Sequence, residues 1–346
     1  MIVPENMKAA VLVAPGQFEF RDVPVPKLGH DDVLVRVTQV GICGTDIHMF
    51  HGRYAADALP IIPGHEFCGV VAAVGEGVKN VKIGTRVVSD INIGCGACYW
   101  CRRNEVLNCC EVTQIGIRRD GAFADFVAVP SRLVIPAPDD VPVETLALTE
   151  PVGCVVRAAK KAQVGIGDSV VVLGAGPIGN LHVQMMRLVG AAPIIVFDLS
   201  EARCQAALAV GADIAVTDPA GLKDVVMRAT DAIGADLVIE SVGLVKLYET
   251  AFDLIRKGGH VAFFGITGPQ DKLDVPILQT VLQENSLKGS VAAMGEDMHQ
   301  ALRLLMYGRF DVTPFTGAVY PLSDIQQAFD SLPSRPNDLK TQLRVS

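Results

Sequence analysis

The sequence predicts an α/β protein of two domains, one rich in short strands and one built on a doubly wound parallel sheet. Three observations predict it. The chain has 346 residues, enough for two domains at roughly 150 residues each. Up to about residue 135, short alternating β-branched runs are separated by turn residues. Beyond Pro138–Glu144, wholly apolar runs bounded by glycine alternate with helical periodicity. That second texture implies a parallel sheet covered on both faces.

In order along the chain, Val33–Val40 (VLVRVTQV) alternates apolar and polar residues, as a half-buried strand does. Val70–Val74, Thr85–Ser89 and Phe123–Val129 read as further strands. Ser169–Leu173 is a buried strand, Ile178–Val189 a helix stopped by Gly190, and Pro193–Asp198 the next strand. Glu201–Val210 is a helix stopped by Gly211, and Asp213–Thr217, Ala235–Glu240 and His260–Gly265 continue the series. The pattern loosens near Ser290. Val319–Leu322 and Ile325–Leu332 then read as a strand and a helix, and Val281–Val291 as an edge able to extend a sheet.

Composition excludes several function classes. Hydrophobic residues make up 50% and charged residues 20% of the chain, so real cores are available and disorder is excluded. The net charge is −8 with no basic run, which disfavours a nucleic-acid partner. No run of about 18 apolar residues exists, so no membrane span is expected. Met1 to Lys8 carries Pro4 and Glu5 and lacks a basic region followed by an apolar one, so no secretory signal is expected. The 9 cysteines are therefore expected in a reducing, cytoplasmic setting, where a cluster reads as metal binding or catalysis.

Leu173-Gly174-Ala175-Gly176-Pro177-Ile178-Gly179 contains GxGxxG directly after an apolar strand and directly before a helix. In that setting the first glycine permits the tight turn and the second lets a pyrophosphate approach the backbone. The third permits close helix–strand packing, and the helix start offers free N–H groups to phosphate. Gly174, Gly176, Pro177, Ile178 and Gly179 are the expected cofactor contacts. Asp198 ends the next strand, where a carboxylate accepts the ribose hydroxyls and repels a 2′-phosphate, favouring NAD over NADP. Arg203, five residues on, is a further expected cofactor-binding residue and weakens that preference slightly.

Cys95, Cys98, Cys101 and Cys109 read C-x2-C-x2-C-x7-C. Four thiolates so close suit one tetrahedral zinc closed to solvent. The apolar-poor stretch from Tyr99 to Asn108 is then held by metal rather than by a core. Cys110, next to Cys109, leaves one ambiguity of register. Cys43, His65 and Glu150 form a mixed sulfur, nitrogen and oxygen set of the kind that leaves a fourth zinc position open. Spacing alone does not join them.

The segments GICGTDIH (Gly41–His48), PGHE (Pro63–Glu66), the four-cysteine cluster, TEP (Thr149–Pro151) and GAGPIG occur in an order that strongly resembles the zinc-dependent medium-chain alcohol and polyol dehydrogenases. The resemblance runs from Lys8 to the C-terminus and is greatest to sorbitol, galactitol-phosphate and threonine dehydrogenases. It implies a GroES-like catalytic domain over 1–152 and 291–346, with a structural-zinc lobe at about 94–110. It also implies a Rossmann NAD-binding domain over 153–290. Position by position, it implies Cys43 and His65 as ligands of a catalytic zinc, with Glu150 at the third position. Glu66 is the alternative ligand, and Cys154, four residues past Glu150, is a weaker rival. Thr45 matches the hydroxyl on the substrate oxygen, His48 the solvent end of a proton relay, and Asp46 the acid that orients the histidine.

The implied activity is reversible oxidation of a secondary alcohol, a polyol or sugar alcohol, through a zinc alkoxide and hydride transfer to NAD. An interdomain cleft and a homotetramer, with a dimer as alternative, are implied as well. The implied partner is a small-molecule alcohol, with one catalytic and one structural zinc per chain. Threonine-type amino alcohols, butanediol and sugar phosphates are the alternative substrates. A non-catalytic NAD-binding sensor or structural protein, and a zinc-free quinone reductase of the same fold, are the readings from other classes. The joint presence of Cys43, Thr45, His48, His65, Glu66 and Glu150 argues against the first of these, and counting metal decides among the readings. Two departures stand out. Ser290–Met294 reads SVAAM, without the Arg-Tyr pair of animal sorbitol dehydrogenases. Gly44 stands where liver-type enzymes place an arginine for the pyrophosphate. Phe50, Arg53 and Met294 are candidate pocket residues.

Overall fold

The computed structural model describes residues 3–346, which divide into two compact units. The first comprises the chain up to Gly153 with Met294–Tyr307 and Phe315–Ser346, and the second Cys154–Ala293 with Gly308–Pro314. The tail expected to return as one piece from residue 291 is thus interrupted. Gln184 holds residue 311 in the second unit through two bonds, donating to its carbonyl at 3.0 Å and accepting its N–H at 2.6 Å.

In the first unit, β1 (Asn6–Ala14) and β2 (Gln17–Pro24) form a hairpin, followed by β3 (Asp32–Gly41) and the short helix α1 (Gly44–Phe50). β4 (Glu66–Val74), β5 (Arg86–Ser89), β6 (Asn92–Ile93), α2 (Tyr99–Arg102) and β7 (Thr113–Gln114) come next. β8 (Phe126–Pro130), β9 (Val134–Pro136), α3 (Val143–Leu146) and α4 (Thr149–Ala162) complete this stretch. The strand expected from Phe123 begins at Phe126. Phe123 itself is fully buried in an aromatic cluster with Phe18 and Phe329. Phe50 joins that cluster, stacked on Phe18 at 5.6 Å. It is a core residue rather than a pocket residue.

The second unit carries β10 (Val170–Leu173), α5 (Pro177–Val189), β11 (Ile194–Phe197), α6 (Glu201–Ala209) and β12 (Ile214–Val216). α7 (Leu222–Ala229), β13 (Ala235–Glu240), α8 (Val245–Leu254), β14 (Ile255–Phe263), α9 (Ile277–Leu282) and β15 (Ser286–Gly289) follow. All neighbours in this six-stranded sheet are parallel, in the order β12-β11-β10-β13-β14-β15. The order reverses between β10 and β13, so the carboxyl end of β10 lies at the switch point where such sheets bind ligands. The central strands β10 and β11 are apolar and buried along their whole length, as strands covered on both faces are.

α10 (Gly295–Met306), β16 (Ala318–Pro321), α11 (Ile325–Ser331) and β17 (Thr341–Arg344) return to the first unit. Its main sheet runs β16-β17-β3-β4-β5-β9, with β8 also paired to β3. β17 lies antiparallel to β3, with Gln342 opposite Gly41, and β3 antiparallel to β4, with Gly41 opposite Glu66. This register sets the C-terminal segment beside Gly41 and Glu66. No helix among the described residues is long and apolar enough to cross a membrane.

Candidate metal and dinucleotide sites

Cys43 sits at the N-cap of α1, and Asp46 closes the first turn by accepting the Cys43 N–H at 2.8 Å. The other Asp46 oxygen accepts the Gly64 N–H at 3.3 Å and faces His65 Nδ1 at 3.4 Å. One buried carboxylate thus ties the two ligand-bearing segments together and turns the imidazole so that Nε2 is free for a metal. The donor atoms of Cys43, His65 and Glu66 all lie within 4.8 Å of one another. Burial alone would lower the His65 pKa, but the charges of Asp46 and Cys43 hold it well above the ordinary value. The pocket is therefore built for positive charge. A thiolate, an imidazole and a carboxylate converging in a buried site fit a zinc ion.

Glu66 opens β4 opposite Gly41, where any Cβ would collide with its carboxylate. Lys340, just before β17, makes an ion pair with Glu66, and both side chains are buried. Nothing in the sequence signals this lysine. It is a lone cation outside every motif, and only the β17–β3–β4 register brings it in. Burial pulls the Lys340 pKa down, but Glu66, Cys43 and Glu150 together raise it above the usual lysine value. Glu150 lies buried at the start of α4, close enough to act on Lys340 but outside the compact donor group. Cys154, one turn further along α4, is also outside that group.

Thr45 and His48 lie three residues apart on α1, hence on one face of it. Burial, and then the nearby Arg53 and His51, lower the His48 pKa, so the ring is neutral at pH 7 and able to accept a proton. Arg53 is exposed. Met294 is buried at the start of α10, where Asp90 accepts the Gly295 N–H at 2.8 Å.

The thiols of Cys95, Cys98, Cys101 and Cys109 form a second donor group within 4.8 Å. Backbone N–H groups point at the sulfurs, from Cys95 and Glu111 to Cys109 (3.5 and 3.4 Å) and from Cys98 to Cys95 (3.4 Å). The two bonds from Cys95 and Glu111 lower the Cys109 pKa to about 7. Such donors stabilise thiolates, and four thiolates in a tetrahedral array suit zinc. Cys110 is exposed and lies outside the group. Arg132 donates to the Gly94 carbonyl at 3.1 Å and fixes the root of the lobe.

In the second unit the glycine turn leaves β10 and enters α5, with Gly174 at φ +99 and Pro177 opening the helix. A Cβ on Gly179 would strike the Gly174 carbonyl, so the turn and the helix touch without room for a side chain. The open helix start is a cradle for phosphate. Asp198 braces this turn, which the motif alone does not reveal. Its Oδ2 accepts the Ala175 N–H at 2.8 Å and its Oδ1 the Ser200 N–H at 2.9 Å. The Arg203 guanidinium lies 3.8 Å from Asp198 and over Gly176. The residues present fit a dinucleotide.

The sequence matches the family model "Alcohol dehydrogenase GroES-like domain" over residues 29–139 and "Zinc-binding dehydrogenase" over 177–306. It is 31% identical to an L-threonine 3-dehydrogenase of Shewanella woodyi, covering 90% of this chain and 92% of that protein. It is 32% identical to a D-arabitol-phosphate dehydrogenase of Enterococcus avium, covering 98% and 97%. Among solved structures, one described as a zinc-binding dehydrogenase of Sinorhizobium meliloti, bound to NADP, superposes with a TM-score of 0.89 at 30% identity. That match covers 99% of this chain and 100% of that one.

Proposed function

The chain belongs to the zinc-binding alcohol dehydrogenase family, and from that premise we propose that it oxidises a secondary alcohol, a polyol or sugar alcohol, reversibly to a ketone with NAD. The observation that carries this reading is the convergence of Cys43, His65 and Glu66 around a buried point, braced by Asp46. When bound, zinc supplies a Lewis acid that acidifies the alcohol, and NAD supplies the hydride acceptor. The chain's own residues do the rest. Thr45 Oγ1 takes the alcohol proton and His48 relays it toward solvent. Lys340 holds Glu66 near the ligands, leaving Glu66 or Glu150 as the third donor. The four-cysteine lobe holds the second zinc. The glycine turn takes the pyrophosphate, and Asp198 favours NAD.

A second reading, an amino alcohol of the threonine type, is favoured by the similarity to the Shewanella enzyme. An assembly of subunits, as a tetramer or a dimer, is supported by α9, whose Ile277, Leu278, Val281 and Leu282 are all exposed next to the edge strand β15. The 9 free cysteines support a reducing compartment such as the cytoplasm.

The test is NADH formation from a panel of polyols, sugar phosphates, butanediol and amino alcohols, with zinc counted by elemental analysis. Two zinc ions per chain and turnover of a polyol are expected. Cys43→Ala should abolish turnover while NADH still binds. Retained turnover in that variant, or no metal in the active protein, overturns the reading.

A further inference from the structure

Glu240 is the last residue of β13, fully buried, and among the described residues no cation pairs with it. Its partners are backbone donors and, beside them, the Tyr248 hydroxyl. The carboxylate accepts the N–H groups of Val242 at 3.0 Å, Gly243 at 2.9 Å and Leu244 at 3.4 Å. Its main-chain carbonyl accepts the N–H groups of Phe264 at 3.1 Å and Gly265 at 3.0 Å. One residue therefore holds the loop after β13 by its side chain and the loop after β14 by its backbone. Tyr248, in the first turns of α8, closes the arrangement by donating to the Gly265 carbonyl at 2.6 Å. There is no slack between the loops, since a Cβ on Gly265 would collide with the Gly243 nitrogen and the Glu240 carboxylate.

The same loop is pinned to the glycine turn. Ser241 donates its N–H and its hydroxyl to the Leu173 carbonyl, at 3.0 and 2.9 Å, and Val242 Cγ2 occupies the space a Cβ on Gly174 would need. From these loops Val242 and Ile266 remain about half exposed, at 47% and 48%. They project from the carboxyl ends of β13 and β14, on the side of the switch point opposite Asp198. A dinucleotide with its adenosine ribose at Asp198 and its pyrophosphate on the turn extends its other half over these two strands.

We propose that Glu240 is a positioning residue for the nicotinamide half of the cofactor. It holds Val242 and Ile266 as two apolar walls beside a flat ring. A buried carboxylate suits the task because its charge is spread over several preorganised N–H dipoles, and each charge-assisted bond is stronger than a neutral one. Glutamine in its place keeps one acceptor oxygen but turns an NH2 donor toward N–H donors, so the loops lose at least one bond.

This rests on the cofactor reading above, and the experiment separates the two. NADH and ADP-ribose, which lacks the nicotinamide, are titrated into the wild type, Glu240→Gln and Tyr248→Phe by calorimetry, with circular dichroism as the check of folding. NADH affinity is expected to fall about tenfold in Glu240→Gln and about threefold in Tyr248→Phe, the scale of one lost bond. ADP-ribose affinity should stay within about twofold. A purely structural role would weaken both ligands alike. Equal losses, or unchanged NADH affinity in the folded variants, overturn the proposal. Should Glu240→Gln fail to fold, Tyr248→Phe decides by the same criterion. A wild type that binds neither ligand overturns the cofactor reading along with this one.

Discussion

Lys340 and Glu66 are 274 residues apart in sequence and form a buried ion pair beside Cys43 and His65. The pair follows from strand register: Gly41 lies opposite both Gln342 and Glu66, and its missing side chain leaves the space in which the two charges meet. A buried pair of this kind places a negative donor at the candidate metal site while compensating its charge when no metal is there.

Removing the cation should therefore be costly. Lys340→Met strands a buried carboxylate and is expected to destabilise the chelator-treated protein by about 3 kcal/mol. The loss should be smaller in the zinc-loaded protein, where the metal supplies the counter-charge. Urea denaturation of both forms measures it. Equal midpoints for variant and wild type in the chelated form would show that Glu66 does not depend on this lysine.

His182 lies fully buried in α5, edge-on to Phe264 at 4.8 Å, with neither ring nitrogen hydrogen-bonded. Burial depresses its pKa to about 3. The unfolded chain therefore takes up the proton first, near the ordinary value of about 6.5. The full stability is present above that pH and is lost progressively as pH falls from about 6.5 toward 3. His182→Leu removes this penalty. It should gain about 2 kcal/mol on the wild type between pH 8 and pH 5, from linkage alone. Parallel stability curves over that range would mean that His182 does not titrate on unfolding.

Asp198 braces Ala175, and in the proposed cofactor reading it also presents negative charge to the adenosine ribose. Asp198→Asn keeps an acceptor for the turn and removes the charge that repels a 2′-phosphate. The ratio of kcat/KM for NAD to that for NADP is expected to fall by about tenfold, with Arg203 now free to meet the phosphate. An unchanged ratio would assign cofactor choice elsewhere.

Trp100 is the sole tryptophan of the chain and stands between Cys98 and Cys101, packed edge-on against Tyr99 at 5.0 Å. Its fluorescence is a reporter on the four-cysteine lobe alone. Chelation should shift its emission to the red as one zinc leaves, because the lobe has little apolar core of its own. Cys98→Ser should show the shifted emission without chelator and hold one zinc fewer. Emission unmoved by complete loss of metal would mean that the lobe keeps its shape without zinc.

What could be read from the sequence by itself was what short stretches of chain encode. The alternation of Val33–Val40, the apolar strands near 170, 195 and 237, the glycine turn with Asp198, and the close spacing of Cys95, Cys98, Cys101 and Cys109 each span a few dozen residues at most. Within such a span, side-chain periodicity and backbone sterics are expressed locally. The joining of Cys43, His65 and Glu66, the arrival of Lys340, the packing of Phe50 in an aromatic core, and the grip of Glu240 on two loops were decided by tertiary structure. Each depends on which strands pair and in what register. Register is fixed by the fit of whole buried faces, a sum of many weak contacts between segments remote in sequence, and no single residue carries a local mark of it.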